Sequence, residues 1–235
     1  MASGARIPVW REIGATPAPA AGTVERAELV IVGGGPVGLS MALDLGRRGH
    51  PIVLLNKLDF IPAGSKSICI SKRSLDIFDR LGVGQTMVDK GIVWNLGKVF
   101  WGSREAPIYE FDLLPVKDQK RPAFINIQQY HVEERLYDAV ARLPNVEMRW
   151  GHEVTEVIPG DEGARIKVAA GGRYYSIDAD WLIACDGCRS PVRQSLGLDF
   201  AGRAFEDNFL IADIRMKQER PAERWFWFDP PFNQG

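Results

Sequence analysis

The apolar run Leu29-Val30-Ile31-Val32 leads directly into Gly33-Gly34-Gly35-Pro36-Val37-Gly38. Four consecutive apolar residues suit a parallel strand covered on both faces. At a strand-to-helix turn Gly33 permits a tight bend, Gly35 presents no side chain to an approaching phosphate, and Gly38 lets the helix pack closely on the sheet. The pattern predicts a helix from about Pro36 to Arg48, with Pro36 in its first turn and Gly49 as its stop. Its apolar residues fall on most sides, so a well-buried helix is expected. Ile52-Val53-Leu54-Leu55 then supplies a second buried strand. Strand, glycine turn, helix and strand form one βαβ unit, so the expected fold class is α/β with a Rossmann-like parallel sheet. The helix N-terminus of such a unit offers unpaired N–H groups and partial positive charge to a pyrophosphate.

A dinucleotide site usually carries an acid at the end of the second strand, where it accepts hydrogen bonds from the adenosine ribose. Here that place holds Asn56, 18 positions after Gly38, followed by Lys57. An amide has one acceptor oxygen and no charge, and losing a charge-assisted bond costs on the order of 1 kcal/mol. Asn56-Lys57 also leaves a second reading open, in which a ribose 2′-phosphate is tolerated and the chain is an NADP-dependent dehydrogenase or reductase.

Residues 1–26 are rich in Ala, Pro and Gly and read as a mobile N-terminal arm. A loop is expected over 56–67 and a helix from about Ser71 to Leu81, closed by Gly82. Residues 92–128 read as mostly extended. A helix from about Gln129 to Arg142 carries Val132, Leu136, Val140 and Leu143 at helical spacing, with Pro144 closing it. Residues 146–184 read as a meander with turns at Pro159-Gly160-Asp161 and Gly171-Gly172, ending in the buried strand Trp181 to Cys185. After Gly197 the pattern is extended again, through Phe209-Leu210-Ile211-Ala212 and Trp225-Phe226-Trp227-Phe228.

Composition narrows the function. The formal net charge of −1 makes no electrostatic case for nucleic acid. Arg47-Arg48 and Lys72-Arg73 fit solvated helix surfaces. No stretch has the roughly 18–20 uninterrupted apolar residues of a membrane span. Three cysteines imply no disulfide framework, so a cytoplasmic setting is expected. His50, His131 and His152 lack metal-ligand spacing and read as surface or capping residues, and Glu133-Glu134 as helix surface.

A second glycine turn follows the strand at 181–185: Asp186-Gly187-Cys188-Arg189-Ser190-Pro191-Val192-Arg193. With the first motif it resembles the Asp-Gly motif of the single-component flavoprotein monooxygenases of the para-hydroxybenzoate hydroxylase fold. Gln129-x-x-Val132-Glu133-x-x-Leu136 is similar to the helix whose leading Gln approaches the flavin. The segments 64–69, Arg121-Pro122-Ala123-Phe124-Ile125-Asn126 and 225–231 resemble the 3-(3-hydroxyphenyl)propionate hydroxylase group. The resemblance covers about residues 27–235. It implies FAD as cofactor, NADH or NADPH as electron donor, and O₂ and a phenolic or other aromatic compound as substrates. It places Gly33, Gly35, Pro36, Val37, Gly38, Asn56, Lys57, Lys66, Gln129, Asp186, Gly187 and Arg193 at the cofactor. It also implies an FAD-binding domain over 27–91 and 122–198, and an incomplete substrate domain over 92–121 and 199–235.

The chain departs from this family at three points. Asn56 replaces the acid. Lys66 stands where the family usually has Arg, keeping the charge without the bidentate fork. The later Gly-Asp motif is absent after residue 193, so the chain reads as the N-terminal part of such an enzyme, expected to bind FAD weakly or not at all. Its partner is then a missing C-terminal half or a second copy in a homo-oligomer. A non-catalytic remnant that needs a second chain stays open. Cys185-x-x-Cys188 admits a redox dithiol, against the plainer reading of a strand end and a variable motif position. Trp225-x-Trp227 is similar to the Trp-x-Trp of flavin-dependent halogenases, against a strand with tryptophans on one face and phenylalanines on the other.

Overall fold

A computed structural model describes residues 7–64, 68–113, 116, 118–203, 205, 217 and 220–231. The elements run in the order β1 (Val9–Glu12), β2 (Val24–Val32), α1 (Pro36–Arg47), β3 (Ile52–Asn56), β4 (Phe60–Pro62), β5 (Cys69–Ser71), α2 (Lys72–Arg80) and α3 (Gly84–Lys90). They continue through β6 (Ile92–Val93), β7 (Leu96–Trp101), β8 (Tyr109–Asp112), β9 (Phe124–Asn126), α4 (Gln129–Val140), β10 (Val146–Trp150) and β11 (His152–Gly160). The last are β12 (Gly163–Ala170), β13 (Arg173–Ala184), α5 (Pro191–Ser195) and β14 (Glu223–Phe228).

The main sheet has the order β10-β3-β2-β13-β12-β11. Its first four strands are mutually parallel, and β12 and β11 continue it as an antiparallel meander. The α/β expectation holds, with one change of detail: residues 146–150 join the parallel sheet beside β3 rather than the meander. The apolar run of β2 serves two cores through the two-residue period of a strand. Leu29 and Ile31 join Leu39 and Leu43 of α1, Leu75 and Phe78 of α2, and Val132 and Leu136 of α4. Val30 and Val32 join Val154 and Val157 of β11 and Ile166 and Val168 of β12. Each such side chain, taken fully out of water, contributes about 1.5–3 kcal/mol, which is why the buried run 29–32 is apolar on both faces while the more exposed first half of β2 carries Glu25, Arg26 and Glu28.

The N-terminal segment departs from the expectation of a mobile arm. β1 pairs antiparallel with β4. The Ile13 and Gly14 N–H groups donate to Asp59 O at 3.1 and 2.9 Å, and Thr16 N–H donates to Trp150 O at 2.8 Å. Arg11 Nη1 donates to Asp138 Oδ1 at 2.8 Å, and Trp10 packs on Tyr130 with ring centroids 4.3 Å apart. A segment rich in Pro and Ala builds little structure of its own, and here β4, β10 and α4 supply the partners. Helix α3 is also additional, within a stretch without a strong apolar period.

Two further expectations are corrected. His131 and His152 are buried, not at the surface, whereas His50 is exposed. Glu133 is buried as well, and its Oε1 accepts from Gln129 Nε2 at 2.6 Å. In each case a polar residue sits on a face that the strand or helix period turns inward. β14 pairs parallel with β7 in the sheet β14-β7-β8. Trp225 and Trp227 both pack on Phe100, while Phe226 meets Phe111, so tryptophans and phenylalanines do take opposite faces. Phe209–Ala212 and Lys66 lie outside the described residues. Among the described residues no helix is long and apolar enough to cross a membrane.

Candidate functional site

The two glycine motifs are brought together because β2 and β13 are neighbours. Val32 pairs with Ala184, and Cys185 N–H extends the ladder to Val32 O at 2.7 Å. β3, reached through α1, flanks β2 on the other side. The glycine turn therefore sits at the carboxyl ends of the strands, where the connections leave in opposite directions. That crevice is the usual ligand position of an open α/β sheet.

Within the turn the three glycines of the fingerprint have different reasons. Gly33 has φ +110°, and a Cβ there would lie 2.3 Å from Cys185 O. A Cβ on Gly38 would lie 1.8 Å from Gly33 O, so this glycine permits the helix to approach its own turn. Gly35 meets nothing within 4 Å among the described residues. It is the N-cap of α1, with extended backbone and no side-chain cap, and α1 has no acidic residue in its first turn. Pro36 has no N–H to lose, and the N–H groups of Val37 and Gly38 have no carbonyl four residues back within the helix. An open, uncapped and acid-free helix N-terminus fits an anionic phosphate.

At the end of β3 the amide of Asn56 is occupied on both sides. Its Oδ1 accepts from Gly34 N–H at 3.0 Å and its Nδ2 donates to Leu58 O at 3.0 Å. Lys57 follows it.

The Asp-Gly turn is held largely by its own residues. Asp186 Oδ2 accepts from Ser190 Oγ at 2.7 Å and from Val192 N–H at 3.1 Å. Ser190 Oγ in turn accepts from Arg193 N–H at 2.9 Å and caps α5. Sequence reading assigned no role to Ser190; its spacing of three before Arg193 is that of a helix N-cap and carried the signal. Arg193 Nη1 donates to Cys188 O at 2.9 Å, and its guanidinium lies 5.0 Å from the Phe200 ring centroid. Gly187, at φ +84°, has open space around the position of a Cβ. Burial, then the neighbouring Asp186, pushes the Cys185 thiol up from its ordinary value, the opposite of what a reactive dithiol needs. Gln129 opens α4, with its amide turned along the helix to Glu133.

Arg121, within the segment 121–126, is buried and braces the α2–α3 pair. It donates to Gln85 Oε1 at 2.8 Å and forms an ion pair with Asp79. Lys120 and then Arg121, both bonded to Asp79, hold its carboxyl below the usual range. Arg121→Ala removes this brace and leaves a cavity, and is expected to cost about 2–4 kcal/mol in urea denaturation. Among the described residues no group of three or more His, Cys, Asp or Glu side chains is placed to hold a metal ion.

A parallel sheet whose inner strand ends in a three-glycine turn under an uncapped helix defines a dinucleotide-binding α/β domain. Comparison with known proteins gives the family: the chain belongs to the family described as FAD binding domain, which matches residues 26–230. It is similar to para-nitrophenol 4-monooxygenase of Pseudomonas sp. strain WBC-3, 31% identical over 187 residues, covering 79% of this chain and 46% of the relative. The 3-(3-hydroxy-phenyl)propionate/3-hydroxycinnamic acid hydroxylase of Burkholderia cenocepacia is 32% identical over 193 residues, covering 81% of this chain and 35% of the relative. The crystal structure of p-nitrophenol 4-monooxygenase from Pseudomonas putida DLL-E4 superposes with a TM-score of 0.72 at 30% identity, covering 77% of this chain and 46% of that one. The chain thus spans less than half the length of these relatives.

Proposed function

We propose that this chain is the FAD-binding part of a monooxygenase that hydroxylates phenolic or other aromatic compounds, with NADH or NADPH as electron donor and O₂ as co-substrate. The observation that carries the reading is the open Gly35 cradle at the uncapped N-terminus of α1, beside the Asp186-Gly187 turn. In this reading the Val37 and Gly38 N–H groups bind the FAD pyrophosphate and Lys57 lies toward the adenosine end. The Asp186–Arg193 turn, organised by Ser190, flanks the diphosphate, and Gln129 belongs to the flavin side. A bound flavin supplies the redox chemistry, and the protein binds and orients it. Relatives named for nitrophenol and hydroxyphenylpropionate support a phenolic substrate. Cys69, Cys185 and Cys188 are all free thiols, which fits a reducing, cytoplasmic setting.

Parallel titration with FAD and NADPH, followed by flavin and nicotinamide fluorescence, tests the reading. Saturable but weak FAD quenching is expected, with no flavin retained through gel filtration. Saturable NADPH binding without any FAD binding overturns the flavin reading and favours the reductase alternative that Asn56-Lys57 suggests. Stoichiometric yellow flavin on the purified chain overturns the expected weakness.

A further inference from the structure

We infer that Asn56 is a positioning residue that buckles the glycine turn to the β3–β4 turn, and not a ligand of the cofactor ribose. The inference rests on the reading of this turn as the FAD phosphate loop, but its structural half is independent of that reading. One side chain here satisfies a donor and an acceptor at once: Gly34 N–H at 3.0 Å and Leu58 O at 3.0 Å. The contact is close. A Cβ on Gly34 would lie 2.9 Å from Asn56 Cγ, so the turn lies directly against this amide. Leu58 O also accepts from Gly151 N–H at 3.1 Å, and Asp59 O holds Ile13 and Gly14, so the buckle ties the glycine turn to the stitched N-terminal segment.

The geometry selects the amide. An ionised carboxylate is acceptor-only. At this position it would face Leu58 O with no proton to donate, and the repulsion between the two oxygens turns it away from Gly34 N–H as well. A protonated carboxyl has one donor and one acceptor and restores both bonds. The acid expected at the end of this strand is therefore incompatible, in its charged form, with the way this chain closes its turn.

The test compares hydrogen exchange at the Gly34 amide in the unaltered chain, Asn56→Asp and Asn56→Ala, without cofactor, at pH 8 and pH 5. Protection in Asn56→Asp is expected to fall by about tenfold at pH 8, as for a lost hydrogen bond, and to recover at pH 5 relative to the unaltered chain at that pH. Asn56→Ala is expected to lose it at both pH values, and supplies the comparison if the charged variant does not fold at pH 8. Unchanged Gly34 protection in both variants overturns the inference. So does tighter FAD binding by Asn56→Asp, the behaviour of a ribose ligand regaining its charge. If the unaltered chain binds NADPH saturably but no FAD, the flavin reading falls, while the exchange data still decide the role of Asn56.

Discussion

Gly38→Ala and Gly33→Ala are expected to unfold or nearly unfold the chain, whereas Gly35→Ala leaves stability unchanged and weakens FAD binding. A methyl group on Gly38 would overlap Gly33 O at 1.8 Å, and one on Gly33 would overlap Cys185 O at 2.3 Å. Both obstacles are backbone atoms, which cannot rotate away as a flexible side chain can. Gly33 adds a φ of +110°, which L side chains rarely adopt. Either substitution must therefore separate α1 from its turn or β2 from β13. A cost of about 3–5 kcal/mol each is expected, a large share of the roughly 5–15 kcal/mol that stabilises a domain. Gly35 has φ −82° and open space, so an alanine there is expected within about 0.5 kcal/mol of the parent. Its methyl group would instead stand where the phosphate is proposed to lie. Urea denaturation and FAD titration of the three variants separate the two roles. A Gly38→Ala chain as stable as the parent would contradict the packing, and a Gly35→Ala chain with unaltered FAD affinity would contradict the cradle.

Stability is expected to fall as pH is lowered from about 7 to 5, with His152 as one of two sources. A buried chain of hydrogen bonds runs from Arg149 through Tyr175 and His152 to Thr16. Arg149 Nη1 donates to Tyr175 Oη at 3.3 Å, Tyr175 Oη is 2.8 Å from His152 Nδ1, and His152 Nε2 is 3.1 Å from Thr16 O. A guanidinium only donates and a carbonyl only accepts. Hence His152 Nε2 carries the proton toward Thr16 O, and Nδ1 accepts from the tyrosine hydroxyl, in a neutral ring with both nitrogens satisfied. Burial first, and the positive Arg149 nearby, push the His152 pKa down. Arg149 itself stays charged: burial opposes this, but bonds to Glu147, Tyr175 and Glu25 prevail. Burial, with Lys90 and Arg135, also lowers His131.

Both histidines bind protons more readily in the unfolded chain, near its ordinary pKa of about 6.5. Their stabilising effect is therefore complete above that pH and is lost as pH falls toward the depressed folded values. The slope is at most about 1.4 kcal/mol per pH unit for each ring. Asp79, Asp178 and Glu223, held low by partners led by Lys120, Arg165 and Trp225 respectively, titrate below this window. Urea melts across pH 5–8 measure the slope, and His152→Gln is expected to reduce it by up to half. An unchanged slope in that variant would remove His152 from the account.

Much of the fold was legible because it is written in local periodicity. The unbroken apolar run of β2 required cover on two faces, and two cores supply it. Gly33-x-Gly35-x-x-Gly38 between that run and an apolar helix placed a glycine turn, open at Gly35, at one end of the sheet. The Trp225–Phe228 alternation foretold the two faces of β14. The order of the N-terminal segment comes from β4, β10 and α4, partners distant in sequence that its own Pro- and Ala-rich composition does not reveal. The burial of His131, His152 and Glu133 is not legible in the sequence, because polarity alone does not show which face of an element is buried.

The sequence by itself determined the βαβ unit, the place of the glycine turn and the family resemblance, since each depends on residue type and spacing within short segments. Only the tertiary structure decided which backbone atoms stand against which glycine, that Asn56 spends its amide on Gly34 and Leu58, and that Asp186 is bonded within its own turn. Those outcomes depend on β2, β3 and β13 lying side by side, an arrangement set by long-range strand pairing that no local pattern records.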